Sequence, residues 1–433
     1  MNIPDTWIVT TVGKLCDQGG GSVQTGPFGS QLHAEDYKSD GVPVVMPQNL
    51  GRNKIETTDI ARIDDQDVKR LAQHRLETGD IVFPRRGDVS RYAYITKEYE
   101  GWLCGTGCLR IRLGKSQVDP KYLAYYLGRS ETQDWIIGNA VGTTMLNLNT
   151  SIVRALPVVV PPLDEQRAIA HILGTLDDKI ELNRRMNATL EAIARAIFKS
   201  WFVDFDPVRA KMRGEQPAGM DAATAALFPD AFEDSELGPI PAGWGVGTLG
   251  EHMINLDSKR VPMSRAERAN RQGPYPYYGA ASVIDYVDDF LFDGIYLLVG
   301  EDGSVLRENG LGVTQYVWGQ IWVNNHAHVL QGKGSVSTEQ LLFYFDFQPV
   351  APYVTGAVQP KLSQGRMNQM PFVYAGNDVC RAFHRVVSPY LALLRANTEQ
   401  NRTLTALRDA LLPKLISGEI RVEEAIDAVT ARD

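Results

Sequence analysis

The chain has 433 residues, 44% of them hydrophobic and 22% charged, with a formal net charge of −8. That length suits two or three domains with real cores, and the acidic balance excludes a protein coated in basic charge; no apolar run approaches the ~20 residues that span a bilayer. Cys16, Cys104, Cys108 and Cys380 do not make a disulfide framework, and "MNIPDTWIVT" lacks the basic-then-apolar order of a signal peptide, so a cytoplasmic protein is expected.

Residues 1–160 alternate short β-branched runs ("GVPVVM", "GDIVF", "LRIRL", "LPVVVPP") with Gly/Pro/Asp turns and one helical stretch near 120–127, which predicts a strand-rich first domain over 1–160. Pro161 and Pro162 stop the last strand, and Asp164 can cap the next helix. That long helix is predicted over 161–205, then a polar connector over 206–240. A second strand-rich domain over 241–376 comes next, then a second long helix over 377–420 with Gly418 as its C′ residue, and a tail over 421–433. Basic and acidic groups balance in 1–160 and in 377–433, so no segment is a polycation. A DNA ligand would therefore meet only particular basic loops.

The first helix carries a stripe: Ile169, Leu173, Leu176, Ile180, Asn183, Asn187, Leu190, Ala194 and Ile197. Alternating steps of four and three mark a helix that packs along another helix. "LTALRDALL" (404–412) repeats "LEAIARAIF" (190–198) at an offset of 214 residues. The same offset carries the stripe to Phe383, Val387, Tyr390, Leu394, Asn397, Asn401, Leu404, Arg408 and Leu411. Upstream, "LNTSIVRALPVV" from Leu148 resembles "LSQGRMNQMPFV" from Leu362 at 214. "VDPKYLAYYL" from Val118 resembles "VSTEQLLFYF" from Val336 at 218, and "WIVTTVG" from Trp7 resembles "WGVGTLG" from Trp244 at 237. Four matches in one order indicate a duplicated unit, a strand-rich domain followed by a long helix.

The expected fold class is α+β: two strand-rich domains separated by two long helices packed as an antiparallel coiled coil, with a pseudo-two-fold internal repeat. In that arrangement Asn183 faces Asn401 and Asn187 faces Asn397. Buried amides that bond each other cost stability and reject slipped registers.

"GPFGSQL" (26–32), "GVPVVMPQN" (41–49), "GDIVFPRRGD" (79–88), "LPVVVPPLDEQRAIAHIL" (156–173) and "SWFVDFDPVRAK" (200–211) resemble the specificity subunits of Type I restriction-modification systems. The second half departs from the pattern, with "YAGNDVCRAF" (374–383) where "PPLDEQ" would stand. The resemblance implies two target-recognition domains, each reading half of a bipartite, asymmetric double-stranded DNA target, with the helices setting the unread spacer. It further implies two modification subunits that methylate adenines with S-adenosylmethionine, restriction subunits that use ATP and Mg where present, and no cofactor on this chain.

Motifs for chemistry on the chain itself are weak. The only Pro-Pro pair precedes Leu163, not an aromatic residue, so it is no amino-methyltransferase loop. Gly114-Lys115-Ser116 lacks the first glycine of a phosphate loop, because Leu109 stands there. Cys104 with Cys108, and His326 with His328, supply two ligands each, too few for a zinc site. "FPRRGDV" (83–89) and "VGEDGSV" (299–305) read as counterparts of opposite charge, as expected of a variable reading surface.

Arginine reads guanine, and Asn or Gln reads adenine. The first-domain candidates are Arg85, Arg86 and Arg91, with Gln48 and Asn49. In the second, "SKRVPMSRAERANRQG" (258–273) supplies Lys259, Arg260, Arg265, Arg268 and Arg271 against one acid, Glu267. Gln359 and Lys361 are weaker candidates. Tyr275, Tyr277 and Tyr278 could touch bases, whereas Tyr122, Tyr125 and Tyr126 read as core. Trp201, Phe202 and Phe205 form an apolar cluster, either a docking patch or a helix–domain junction. The rival class is a coiled-coil scaffold whose β-rich domains bind protein or glycan.

Overall fold

A computed structural model describes Pro4, residues 6–356 and residues 358–425; most of the predicted tail, 426–433, lies outside them. The chain forms two compact units, residues 1–181 with 401–433, and residues 182–400. Both mix helix and strand, as the α+β expectation requires. Among the described residues, no helix is long and apolar enough to cross a membrane.

In unit 1 the first strand, Ile8–Thr11, leads into the helix Val12–Gly19, whose start is capped by the Thr11 hydroxyl. The strand Gly20–Thr25 then joins a four-stranded antiparallel sheet, pairing with Cys108–Gly114, which pairs with Ile81–Pro84. The first strand pairs instead with Pro157–Val160, matching Thr11 to Pro157. Asp119 caps the helix Pro120–Leu127, with proline in its first turn. Tyr122, Tyr125 and Tyr126 are buried in the core beneath the sheet.

Unit 2 repeats this plan. Gly245–Thr248 pairs with Pro371–Tyr374, matching Thr248 to Pro371. These partners lie 237 and 214 residues after Thr11 and Pro157, the offsets read from the sequence. Met253–Asn255, Ala327–Gly332 and Phe292–Gly300 repeat the sheet order, which the unit extends to six strands. Ser337 caps Thr338–Phe347, the counterpart of the Asp119-capped helix. Residues 206–240 are more than a linker: Val208, Phe228 and Ile240 belong to the unit 2 core.

The long helices are Leu163–Phe202, 40 residues, and Gly376–Ser417, 42 residues. Each runs from one unit into the other, and within each unit their segments pack antiparallel. In unit 1, Arg408 reaches Asp177 at 2.7 Å and Asn401 Nδ2 donates to the Ile180 carbonyl at 3.3 Å. In unit 2, Asn183 Nδ2 donates to Gln400 Oε1 at 2.8 Å, and Asn397 Nδ2 to Asn187 Oδ1 at 2.9 Å. Asn187 also donates to the Leu394 carbonyl at 3.2 Å; Asn187→Leu394 and Asn401→Ile180 are mates under the 214-residue offset. Ile169, Leu173, Leu176 and Ile180 of the stripe are buried, as are Phe383 and Val387 of its repeat.

Trp201 is buried in the unit 2 core and Phe202 and Phe205 are partly buried against it, which fits the helix–domain junction of the two sequence readings. Trp201 meets Phe228 and Phe383 edge-on, and Phe202 and Phe205 pack on Trp244. The aromatic cluster anchors the helix end in unit 2 because aromatic side chains bury large apolar areas.

Candidate nucleic-acid interface

In unit 1 the strand Ile81–Pro84, paired with Cys108–Gly114, runs into a turn, residues 85–89, docked on the loop 141–148. Leu148 N–H donates to the Arg85 carbonyl at 2.8 Å and Gly87 N–H to the Leu146 carbonyl at 3.1 Å. Val141 and Asn147 exchange two bonds of 2.9 Å that close the loop. Gly87 has φ +88° and Gly142 φ +115°, conformations that L side chains rarely adopt. Val89 and Leu148 are buried and anchor the pair.

Unit 2 builds the same platform from different residues. Leu362 N–H donates to the Glu301 carbonyl at 2.8 Å and Gly303 N–H to the Pro360 carbonyl at 3.2 Å. Thr355 and Lys361 exchange bonds of 2.9 and 2.7 Å. Gly303 and Gly356 have φ +73° and +87°, and Val305 and Leu362 are buried. Arg85-Arg86 therefore correspond to Glu301-Asp302, and Asn147 to Lys361.

The unit 1 candidates separate by their surroundings. Arg86 is exposed and forms no ion pair among the described residues. Arg85 is half-buried, with its guanidinium 6.0 Å from the Phe28 ring. Arg91 pairs with Asp88 at 3.0 Å; the Ser90 hydroxyl, against some desolvation, and then Arg91 hold the Asp88 carboxyl below its usual range. Gln48 is exposed. Asn49 is 1% exposed and spends its amide on the Met46 N–H at 3.0 Å and the Glu56 carbonyl at 3.1 Å. It closes its own loop and offers no edge to a base, a correction to the sequence expectation.

The basic run of unit 2 divides. Lys259 and Arg265 are exposed and form no ion pair among the described residues. Arg260 is largely buried against Glu301 at 2.8 Å and the Ala327 carbonyl at 2.6 Å, so it braces the loops from inside, contrary to the sequence expectation. Arg268 pairs with Asp285 at 3.0 Å and lies over the Tyr277 ring. Arg271 pairs with Asp288 at 2.8 Å and lies over Trp322. Tyr277 and Tyr278 are buried, and the Tyr277 hydroxyl accepts the Met263 N–H at 2.9 Å, so neither reaches a base. Gln359 is exposed, and Lys361 lies 3.4 Å from Glu301.

One group among the described residues has the spacing of a metal-ligand set: Asp257, Glu301 and His328, with ligand atoms within 4.8 Å of one another. Its donors are already engaged. His328 is fully buried; Nδ1 meets Asp257 Oδ2 at 2.5 Å and Nε2 meets the Leu362 carbonyl at 2.8 Å, while Arg260 holds Glu301. Burial opposes the Asp257 charge, but His328, the Val329 N–H and Asn255 outweigh it and hold the carboxyl below its usual range. The set is a closed ion network that ties residues 257–260 and the loops at 301 and 362 to the strand Ala327–Gly332. Sequence reasoning missed it, because its members come from residues 257–362. Cys104 and Cys108 are free and buried, and burial pushes the Cys104 thiol up to about 12.

Residues 4–192 match the family described as the type I restriction modification DNA specificity domain. The type I restriction enzyme MjaIX specificity subunit of Methanocaldococcus jannaschii is 24% identical over 98% of this chain and 95% of its own length. The type I restriction enzyme HindI specificity subunit of Haemophilus influenzae is 23% identical over 89% of this chain and 96% of its own. The crystal structure of a type I restriction-modification system S subunit from M. genitalium superposes with a TM-score of 0.57 at 18% identity, covering 96% of each chain, which supports the fold.

Proposed function

The chain is related to the specificity subunits of type I restriction enzymes, and from that premise we propose that it is a non-catalytic DNA sequence-specificity subunit. Each unit reads one half of a bipartite, asymmetric double-stranded target. The long-helix pair sets the unread spacer and docks two modification subunits. S-adenosylmethionine sits on those subunits, ATP and Mg on a restriction subunit where one joins, and no cofactor on this chain.

The observation that carries this reading is the loop platform built twice on one backbone pattern with different side chains. Gln48, Arg86 and Arg91 on unit 1, and Lys259 and Arg265 on unit 2, are the exposed polar groups offered to DNA. Continuous helices fit the role of a spacer because their rise per residue is constant. The asparagine contacts fit a register device.

Three experiments test the reading. The chain with a modification subunit should bind duplex DNA in a sequence-dependent manner, with affinity falling steeply as salt rises. Methyl transfer by the purified chain alone would refute the non-catalytic role. Inserting four residues at matched points in both helices should add roughly 6 Å, about two base pairs at ~3.4 Å each. The half-sites should stay unchanged while the gap grows; an unchanged gap would refute the spacer role.

A further inference from the structure

We propose that residues 86 and 302 are equivalent base-reading positions, one in each unit, and that their opposite charge makes the two half-sites chemically different. The inference rests on the DNA-reading role proposed above and names its specificity determinants. Arg86 takes the acceptor edge of a guanine, O6 and N7. Asp302 takes an exposed amino group, cytosine N4 or adenine N6.

The argument begins with the backbone. Four backbone hydrogen bonds of unit 1, at 85–87 and 141–148, recur one for one in unit 2 at 301–303 and 355–362. The bridge Arg86↔Asn147 recurs as Asp302↔Lys361. Position 86 and position 302 therefore hold the same place on the same rigid turn, which is what a reading position needs.

The side chains next to them are occupied. Successive residues of an extended segment face opposite ways. Arg85 turns toward Phe28, and Glu301 turns into the buried network with Arg260 and Lys361. Arg86 faces solvent with no partner among the described residues. Asp302 is held by the His326 ring through Oδ1, and Oδ2 has no partner among the described residues. Arg86 has no side-chain duty in holding its unit together among the described residues; Asp302 is partly buried and spends Oδ1 on His326, which leaves Oδ2 as the acceptor it offers. A guanidinium donates two parallel bonds to guanine, and a carboxylate can only accept, so the two chemistries select opposite edges. Exposed loop tips stand beside both: Met145 in unit 1, and Val358, fully exposed, in unit 2.

The test uses the full chain bound to its modification subunit and a panel of duplexes, each differing from the target by one base pair. Arg86→Ala should cut discrimination at a single G·C position of one half-site by on the order of tenfold or more, with the other half-site unchanged. Arg86→Lys, which keeps the charge and loses the fork, should keep most affinity and still lose that discrimination. Asp302→Asn should change preference at one position of the other half-site only. Equal weakening on every duplex would make Arg86 a phosphate contact and overturn the assignment, as would no change. Effects of both variants on the same half-site would overturn the equivalence. If the unmodified complex shows no sequence preference, the DNA-reading role itself falls, and that outcome is seen before any variant is compared. Arg86 is exposed, so a melting temperature equal to that of the unmodified chain confirms intact folding.

Discussion

Tyr125, Asp177 and Arg408 form a polar layer in unit 1, and Phe343, Leu391 and Ala194 stand at the matching positions in unit 2. The Tyr125 hydroxyl donates to Asp177 at 2.6 Å, and Arg408 reaches the same carboxylate at 2.7 Å. Burial, and then the charge of Asp177, raise the Tyr125 hydroxyl well above its usual range, so it stays protonated and donates. In unit 2 the three counterparts are buried in one apolar core. A satisfied ion pair and a packed apolar cluster can fill the same layer at similar net stability, because Coulombic gain is offset by desolvation. What the repeat conserves in this layer is its burial between helices, not its polarity.

The sharpest way to break the comparison is to transplant the charge without its partners. Leu391→Asp should destabilise unit 2 by roughly 3–5 kcal/mol, the cost of an uncompensated buried charge. Adding Ala194→Arg and Phe343→Tyr should recover part of that loss. Urea unfolding measures both; no recovery would mean that the two layers are not equivalent.

The next effect concerns the loops. Those of unit 2 are pinned by charge, and those of unit 1 are not pinned by any matching network among the described residues. Asp257→Asn should cost unit 2 on the order of 2 kcal/mol and leave exchange protection at 85–89 unchanged. The Asp257 carboxyl is depressed below the ordinary value of 3.8. Its stabilisation is therefore present above that value and lost as pH falls through the folded value. Acid should loosen residues 301–305 before 85–89, as hydrogen exchange can follow.

Smaller effects sharpen the picture. Leucine at both 187 and 397 should change stability by about 1 kcal/mol or less, since both amides are removed together. It should still broaden the set of spacers accepted, read as a second gap length in methylated genomic sites. Lys259→Ala and Arg265→Ala should each lower the salt slope of DNA binding by about 0.9 if each meets one phosphate, with stability altered by a few tenths of a kcal/mol. Arg260→Ala should do the reverse, costing stability first.

Much of the architecture was legible from local pattern. The stripe of Ile169 to Ile197, the offsets of 214 and 237 and the helical stretch near 120–127 all express spacing within a short window. Tyr122, Tyr125 and Tyr126 also read correctly as core. The counterpart turns at 83–89 and 299–305 were legible because flanking apolar residues kept their order. The uses of the basic side chains were not. Arg268 and Arg271 are spent on Asp285 and Asp288, 17 residues away, and Arg260 on Glu301, 41 residues away. Only strand pairing brings those acids close.

The amino-acid order alone determined that this chain is a duplicated strand-rich domain with long helices, because helix and strand periods are properties of neighbouring residues. The tertiary structure decided which charges are free to meet a ligand. Trp201 became core and Arg260 the centre of an ion network through contacts across tens to hundreds of residues, and Asn49 became a loop brace through the fold of its own loop, with partners 3 and 7 residues away. A charge looks available in any sequence; whether it is depends on the carboxylates and carbonyls that folding places within about 3 Å.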